Sequence, residues 1–128
     1  MKPHITCVHF GPHSIRMKVD GHPTRAAVHV NPRVPYVGHY LLNKPVVMVD
    51  RKITNPMERK SLEVHELHEW WRRTHDHMRP TPAHRLSERE ERHWAFHHGM
   101  TRHGWSRYSQ NVERVFRQNH RDGERRRR

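Results

Sequence analysis

The sequence has one cysteine, Cys7, and no apolar run that approaches the length of a membrane-spanning helix. A single cysteine excludes an intramolecular disulfide framework and a paired-cysteine zinc knuckle, so a reducing compartment is expected. The N-terminal segment also lacks the apolar stretch of a signal peptide. We therefore expect a cytoplasmic protein that has no membrane partner.

Hydrophobic residues are scarce, because they make up only 32% of the 128 residues, and the mean hydropathy is -1.18. A chain of this length is large enough for one hydrophobic core but not for two. We expect a single domain over residues 1–120, with a thin core and a polar periphery rather than full disorder.

Acidic residues are few, since 13 Asp and Glu stand against 25 Lys and Arg, giving a net charge of +12 with the 16 histidines neutral. Such a surface attracts polyanions, whether specifically or not. Six arginines lie in the last twelve residues, RQNHRDGERRRR, and blocks of like charge are typical of disordered arms. We predict a disordered basic tail over residues 121–128 that contacts nucleic acid or an acidic protein surface through Arg121, Arg125, Arg126, Arg127 and Arg128.

Residues 1–53 are predicted to form strands, because they contain short segments rich in Val and Ile that are bounded by Gly, Pro and Asn. The second and third segments flank the short stretch GHP, which predicts a hairpin closed at Asp20 and Gly21. Two prolines and Gly38 interrupt the next stretch, so a loop or irregular edge is expected there. The four strand segments are HITCVHF, SIRMKVD, RAAVHV and PVVMVDRKI.

Residues 57–119 are predicted to form about three helices. From Met57 to Thr74 the apolar residues recur at helical spacing on one side, and His65, Glu66, His68 and Glu69 lie on the opposite side. A second helix is predicted from Pro82, with Thr81 as its cap, to His98, before a stop at Gly99. The third contains Tyr108, Val112, Val115 and Phe116. Strands followed by helices favour an α+β fold with a small, mostly antiparallel N-terminal sheet.

The first helix contains a candidate metal-binding motif, VHELHE, in which His65 and Glu69 are one turn apart. This is the spacing of the zincin helix, H-E-x-x-H, with glutamate in place of the second histidine. In such a site the paired ligands hold Zn²⁺ and lower the pKa of a bound water towards about 7. Glu66 would then be the general base that accepts the proton of that water.

The second helix offers further ligands, because His84 and Glu88 are again one turn apart. Three protein ligands with an open fourth position would make a catalytic zinc site, whereas all four groups on the metal would make a structural one. The alternative is that the motif is only a solvated charged face, since short His and Glu patterns arise easily in a chain with 16 histidines.

A different enzymatic hypothesis is a His-Asn-His nuclease, because His98, Asn111 and His120 are spaced approximately as in that motif. There the first histidine activates water, the asparagine holds a ββα turn, and the last histidine binds a divalent ion. The fit is poorer than the spacing suggests, since Asn111 lies within the apolar pattern of the third helix and His120 lies in the arginine-rich region.

Five segments follow one another over residues 35–108: PYVGHY, VVMVDRKI, VHELHEW, AHRLSERE and HGWSRY. Taken in this order, they resemble a group of small, mostly uncharacterised zincin-like proteins of phages and bacteria. The sequence departs from that pattern at His68, which is an additional histidine, and before Ala83, where a tyrosine is expected. The resemblance implies a metal site at His65, Glu66, Glu69, His84 and Glu88, with Asp50 and Tyr36 as nearby support.

The leading hypothesis is therefore a zincin-like, zinc-dependent hydrolase, namely a small phage or prophage metallopeptidase of the host cytoplasm or virion. The alternative is a non-enzymatic basic phage accessory or structural protein, whose metal site, if occupied, only stabilises the fold. In that case the arginines would bind nucleic acid, an acidic surface, or a phage or host protein. The His-Asn-His nuclease is the third hypothesis.

Overall fold

The computed structural model describes residues 3–127, with side chains as far as Arg121. It is an α+β fold, as the sequence predicts: strands come first and helices follow. None of the helices within these residues is long and apolar enough to cross a membrane. The elements are β1 (Ile5–Phe10), β2 (Ser14–Val19), β3 (His22–Asn31), β4 (Gly38–Tyr40), β5 (Val46–Asp50), α1 (Pro56–Thr74), α2 (Pro80–His97) and α3 (Arg102–Arg127).

The five strands form one sheet in the order β1-β2-β3-β5-β4, in which only the β3–β5 pair is parallel. The β2–β3 hairpin closes at Asp20 and Gly21, as predicted, and both residues have positive φ, 50° and 81°. Positive φ at both central residues is the requirement of a type I′ turn, which Asp-Gly meets at low cost. β4 is a three-residue edge strand within the segment where the sequence predicts a loop or irregular edge.

One face of the sheet is apolar and the other polar. In β2, Ile15, Met17 and Val19 are buried, while the residues between them are exposed. This alternation follows from the period of two in a strand. The buried face packs against the helices, and Val47 and Val49 of β5 continue the same core.

Helix α1 crosses the buried face of the sheet. Asn55 caps it, because its side-chain oxygen accepts hydrogen bonds from the amides of Met57 and Glu58, and Pro56 occupies the first turn. The predicted bounds are correct to within one residue. His65, Glu66, His68 and Glu69, on the side of the helix opposite the predicted apolar side, are all buried, so this side is not a solvated charged face. The reason is that α2 packs along α1, which therefore lies between the sheet and a second helix.

Helix α2 begins at Pro80, earlier than predicted, with Arg79 rather than Thr81 at the cap position. It stops before Gly99, whose φ of 100° suits a glycine at a helix end. The backbone of α3 is helical to Arg127, so the segment predicted as a disordered tail is described as helix from residue 121 to residue 127. The side chains after Arg121, and Arg128 altogether, lie outside the described residues.

The far part of α3 is attached to the sheet through Asn119 and Asp50. The buried Asp50 carboxylate accepts from the Asn119 amide at 2.8 Å, from the backbone of Val34 at 3.0 Å and from that of Lys52 at 2.9 Å. The Asn119 amide also donates to the Val34 carbonyl at 2.8 Å. Asp50 therefore has a structural role at the end of β5.

Replacing Asn119 with Ala is expected to lower the free energy of unfolding by about 1–3 kcal/mol, because buried acceptors on Asp50 and Val34 lose a donor. Chemical denaturation monitored by circular dichroism measures this change. Gln118→Ala is the matched control, since Gln118 is the exposed neighbour on the same helix. An equal effect of both substitutions would contradict the assignment.

Candidate metal centre

Three ligand atoms from two helices converge between α1 and α2. Nε2 of His65 lies 3.1 Å from Oε1 of Glu69, and Nδ1 of His84 lies 3.0 Å from that same oxygen and 3.3 Å from His65 Nε2. His65 and Glu69 meet because residues four apart stack on one side of a helix, and His84 is brought to them by the packing of α2 on α1. Within the described residues, these three form the only group of His, Cys, Asp or Glu with such spacing.

The dimensions of this group suit a tetrahedral zinc ion. At Zn–N and Zn–O distances of about 2.0–2.1 Å, tetrahedral ligand atoms lie about 3.3 Å from one another. The three observed distances, 3.1, 3.0 and 3.3 Å, differ from that value by only a few tenths of an ångström. Three ligands leave a fourth position, and the His84 side chain, which is 58% exposed, lies on the solvent side.

A second set of contacts orients the ligands. Nδ1 of His65 lies 2.9 Å from Oε1 of Glu91, and because a carboxylate only accepts, this nitrogen bears the proton. Nε2 is then the nitrogen directed at Glu69 and His84. The Tyr40 hydroxyl donates to Oε2 of Glu69 at 2.6 Å, which leaves Oε1 for the cluster. Carboxylates that fix a metal-binding histidine in this way are a regular feature of zinc sites.

Glu91 is itself held by α1 and α3. The hydroxyl of Ser61 donates to Oε2 of Glu91, and Tyr108 is hydrogen-bonded to the same carboxylate. Burial, followed by the charge of Glu91 and this hydrogen bond, raises the pKa of Tyr108 well above its ordinary value. The phenol is therefore neutral and acts as a hydrogen-bond donor.

The pKa values of His65 and Glu69 are shifted by the hydrogen bonds that these residues make. Burial alone would lower the pKa of His65, but hydrogen bonds to Glu69 and Glu91 outweigh burial and raise it well above 6.5. Burial would raise the pKa of Glu69, but hydrogen bonds from His65 and Tyr40 lower it to about 2. Metal ligands must be deprotonated, so a metal ion bound at this cluster would compete with a proton for Nε2 of His65.

Glu66 lines the same cleft, of about 250 Å³, as His65, His84 and Glu91. Its carboxylate is not among the three convergent ligand atoms. Burial raises the pKa of Glu66 to about 8, and the charges of Glu69 and Glu91 act in the same direction, whereas His65 opposes them. A nearby dication would lower that pKa, since an opposite charge favours the ionised form.

Gly38 of β4 fits closely against Glu66. A Cβ added at Gly38 would lie 2.8 Å from Oε1 of Glu66 and 2.7 Å from Cδ1 of Leu62. No side chain can occupy that space without moving one of them. The neighbouring Val37 has φ of 70°, which is unusual for a β-branched residue. Strained backbone of this kind tends to occur at functional sites.

The structure keeps Glu88 out of the cluster, although it places Glu88 in the wall of the cleft. Glu88 is exposed, whereas Glu91 is buried. The buried side of α2 includes Ala83, Ser87 and Glu91, and Glu88 falls beside that stripe. Glu91 was missed by sequence reasoning; its separation of seven residues from His84, two turns along one face, was the available signal.

Replacing Glu91 with Gln is expected to lower zinc affinity by about 10- to 100-fold, because the His65 ring loses the carboxylate that orients and polarises it. Competition with a chromophoric chelator measures the affinity. Glu88→Gln is the matched control, with an expected change of less than about threefold, since that side chain stays outside the cluster. Equal losses in the two variants would contradict the distinction between these glutamates.

His68 belongs to a different network. Its Nδ1 bonds with the hydroxyl of Ser87 at 2.7 Å, and Arg72 donates to its Nε2 at 3.1 Å. Arg72 also pairs with Asp20 and Asp76, at 2.8 and 2.6 Å. His68 is thus outside the metal cluster, but it is a fully buried structural residue.

The remaining candidates named from the sequence are His98, Asn111, His120, Tyr36 and the C-terminal arginines. Asn111 donates to the carboxylate of Glu58, and it lies with His120 on the continuous helix α3. His98 is at the end of α2, where its ring stacks on Trp94. Tyr36 lines the same cleft as His65 and Glu66. Arg121 is exposed, and the side chains of the other predicted polyanion-binding arginines lie outside the described residues.

Comparisons with protein-family models, curated proteins and solved structures give no significant match to this chain.

Proposed function

We propose that the protein is a zinc-dependent hydrolase that cleaves peptide bonds. The observation that supports this proposal best is the convergence of one atom each from His65, Glu69 and His84 within 4.8 Å. Two histidines and one carboxylate are a common catalytic zinc set, which leaves a fourth position for water or substrate.

A bound zinc ion would supply a water of lowered pKa and an electrophile for a substrate carbonyl. The chain supplies the remaining chemistry. Glu66 lies in the same cleft and is the candidate general base, which takes the proton of the attacking water and delivers it to the leaving amine. Glu91 and Tyr40 keep His65 and Glu69 in position through their hydrogen bonds.

The sheet supports a peptide rather than a small molecule as substrate. Within the described part of the chain, β4 is the last strand of the sheet and has a neighbour, β5, on one side only. It is adjacent to the cleft, because Gly38 packs on Glu66 and Tyr40 donates to Glu69. An extended peptide that paired with β4 would be held by backbone hydrogen bonds with its carbonyls alongside the metal centre.

Metal analysis of the untagged full chain tests the proposal. Wild type is expected to bind about one zinc per chain in the catalytic geometry of three protein ligands, and His65→Ala or His84→Ala is expected to remove it. His29→Ala is the matched control, since His29 is exposed on β3. Zinc that persists in both ligand variants would overturn the assignment.

Hydrolysis is tested separately with a peptide library. Zinc-loaded wild type is expected to cleave it, and chelation is expected to abolish cleavage and to be reversed by added zinc. A protein that binds zinc at His65 and His84 but cleaves no peptide would favour a structural metal site instead.

A further inference from the structure

The sheet has a second face, which is turned away from the helices and the metal centre. Its outward side chains in β1, β2 and β3 include His9, Arg16, Lys18 and Arg25, all of which are exposed. The strand register aligns His9 with Arg16 and Arg16 with Arg25, so three basic side chains form one row across the sheet. Lys18 follows two residues after Arg16, about 7 Å farther along the strand.

No acidic side chain among those that the structure describes balances this row. Residues 3–49 contain one acidic residue, Asp20, and its carboxylate is bound by His4 and Arg72. Arg16, Lys18 and Arg25 make no salt bridge within the described residues. Like charges directly opposite in a sheet are destabilising. The Arg16–Arg25 pair therefore works against folding unless an anion lies between or above the two side chains.

Two shallow grooves run over these residues. One, of about 500 Å³, is lined by Cys7, His9, Arg16, Lys18 and Arg25 among others. The second, of about 840 Å³, shares three of these residues and extends the basic lining to His13 and Lys44. Neither groove has an acidic residue in its wall. The positive surface is thus continuous from β1 to the loop before β5.

We propose that this basic face, formed by His9, Arg16, Lys18, Arg25 and Lys44, binds the phosphate backbone of nucleic acid. Arginine and lysine recognise phosphates without reading sequence. A protein partner is less suited to this face, because the centres of protein interfaces are depleted in lysine and use aromatic anchors. The one aromatic residue in the grooves, Phe10, is packed against Trp94. Because the face lies across the sheet from the metal centre, the proposal does not depend on the hydrolase.

Fluorescence anisotropy with labelled DNA tests this proposal in the full chain. The variant Arg16→Glu/Arg25→Glu is compared with Arg85→Glu/Arg107→Glu, which changes the net charge equally at exposed positions on the helices. The face variant is expected to bind at least about tenfold more weakly and to reduce the salt slope by about two, one for each lost phosphate contact. The helix variant is expected to bind within about threefold of wild type. The C-terminal arginines are identical in both variants, so their contribution cancels.

A glutamine double variant, two forms of DNA and poly-glutamate separate the remaining explanations. Arg16→Gln/Arg25→Gln is expected to weaken binding less than the glutamate pair while keeping the wild-type circular dichroism spectrum, which excludes misfolding as the cause. A loss of affinity that is confined to the face variant supports the proposal. Whether it is seen with a DNA duplex or with a single strand identifies the form that is bound. Equal loss in the face and helix variants would reduce the effect to overall charge and overturn the proposal. Equally tight binding of poly-glutamate would do the same, by identifying an acidic protein partner.

Discussion

Replacing Glu66 with Gln is expected to lower peptide hydrolysis by about 100- to 10,000-fold, the range that a positioned general base contributes. Zinc content is expected to stay at the wild-type level, because the Glu66 carboxylate is not among the three convergent ligand atoms. Glutamine keeps the size of the side chain in the close space beside Gly38. Glutamine cannot accept a proton, so the loss of activity is expected in kcat and not in the stability of the fold.

Glu63→Gln is the matched control for this substitution. Glu63 is a buried glutamate on the same helix, and burial raises its pKa to about 7, but it does not line the cleft. Its replacement is expected to leave both hydrolysis and zinc content near wild type. A Glu66→Gln variant that lost zinc would make Glu66 a ligand instead of a base. One that still cleaved peptides at the wild-type rate would remove it from the mechanism.

Local features of the fold were predictable because short-range rules determine them. The Asp20–Gly21 turn and the stop at Gly99 each depend on a few neighbouring residues. The pairing of His65 with Glu69 is local for the same reason. The sequence also predicts His84 as a ligand, because it lies on a second helix that follows α1 after a short connection.

Other features depend on packing, which periodicity does not specify. The side of α1 that contains Glu66, His68 and Glu69 is as polar as a solvated surface, yet α2 covers it. Glu88 and Glu91 both lie on α2, and the sequence pattern does not say which of them meets α1. The rotation of α2 about its axis brings Glu91, rather than Glu88, into contact with His65. β4 is too short for a strand pattern, and it exists because it pairs with β5. Long-range contacts decide all three.

The buried His68 is expected to make the protein less stable as pH falls below 6.5. Burial, followed by the charge of Arg72, lowers the pKa of His68 to about 3 in the folded state. Arg72 donates to Nε2, so this nitrogen has no room for a proton. Between pH 6.5 and about 3 the unfolded chain binds one more proton than the folded chain, and stability therefore rises with pH across that window. The loss due to His68 at pH 5 is expected to be about 2 kcal/mol relative to pH 7.

Comparison with His68→Gln isolates this contribution. The glutamine oxygen can still accept from Arg72 but does not titrate, so the variant is expected to lose about 2 kcal/mol less than wild type between pH 7 and pH 5. Glu63 and Glu66 act with the opposite sign, because their raised pKa values add stability as pH falls, but both chains contain them and their effects cancel. Denaturation is measured with a chelator present, so that metal release does not contribute. Parallel pH profiles for the two chains would show that His68 becomes protonated in the folded protein at no cost, and the network with Arg72 and Ser87 would then not hold it neutral.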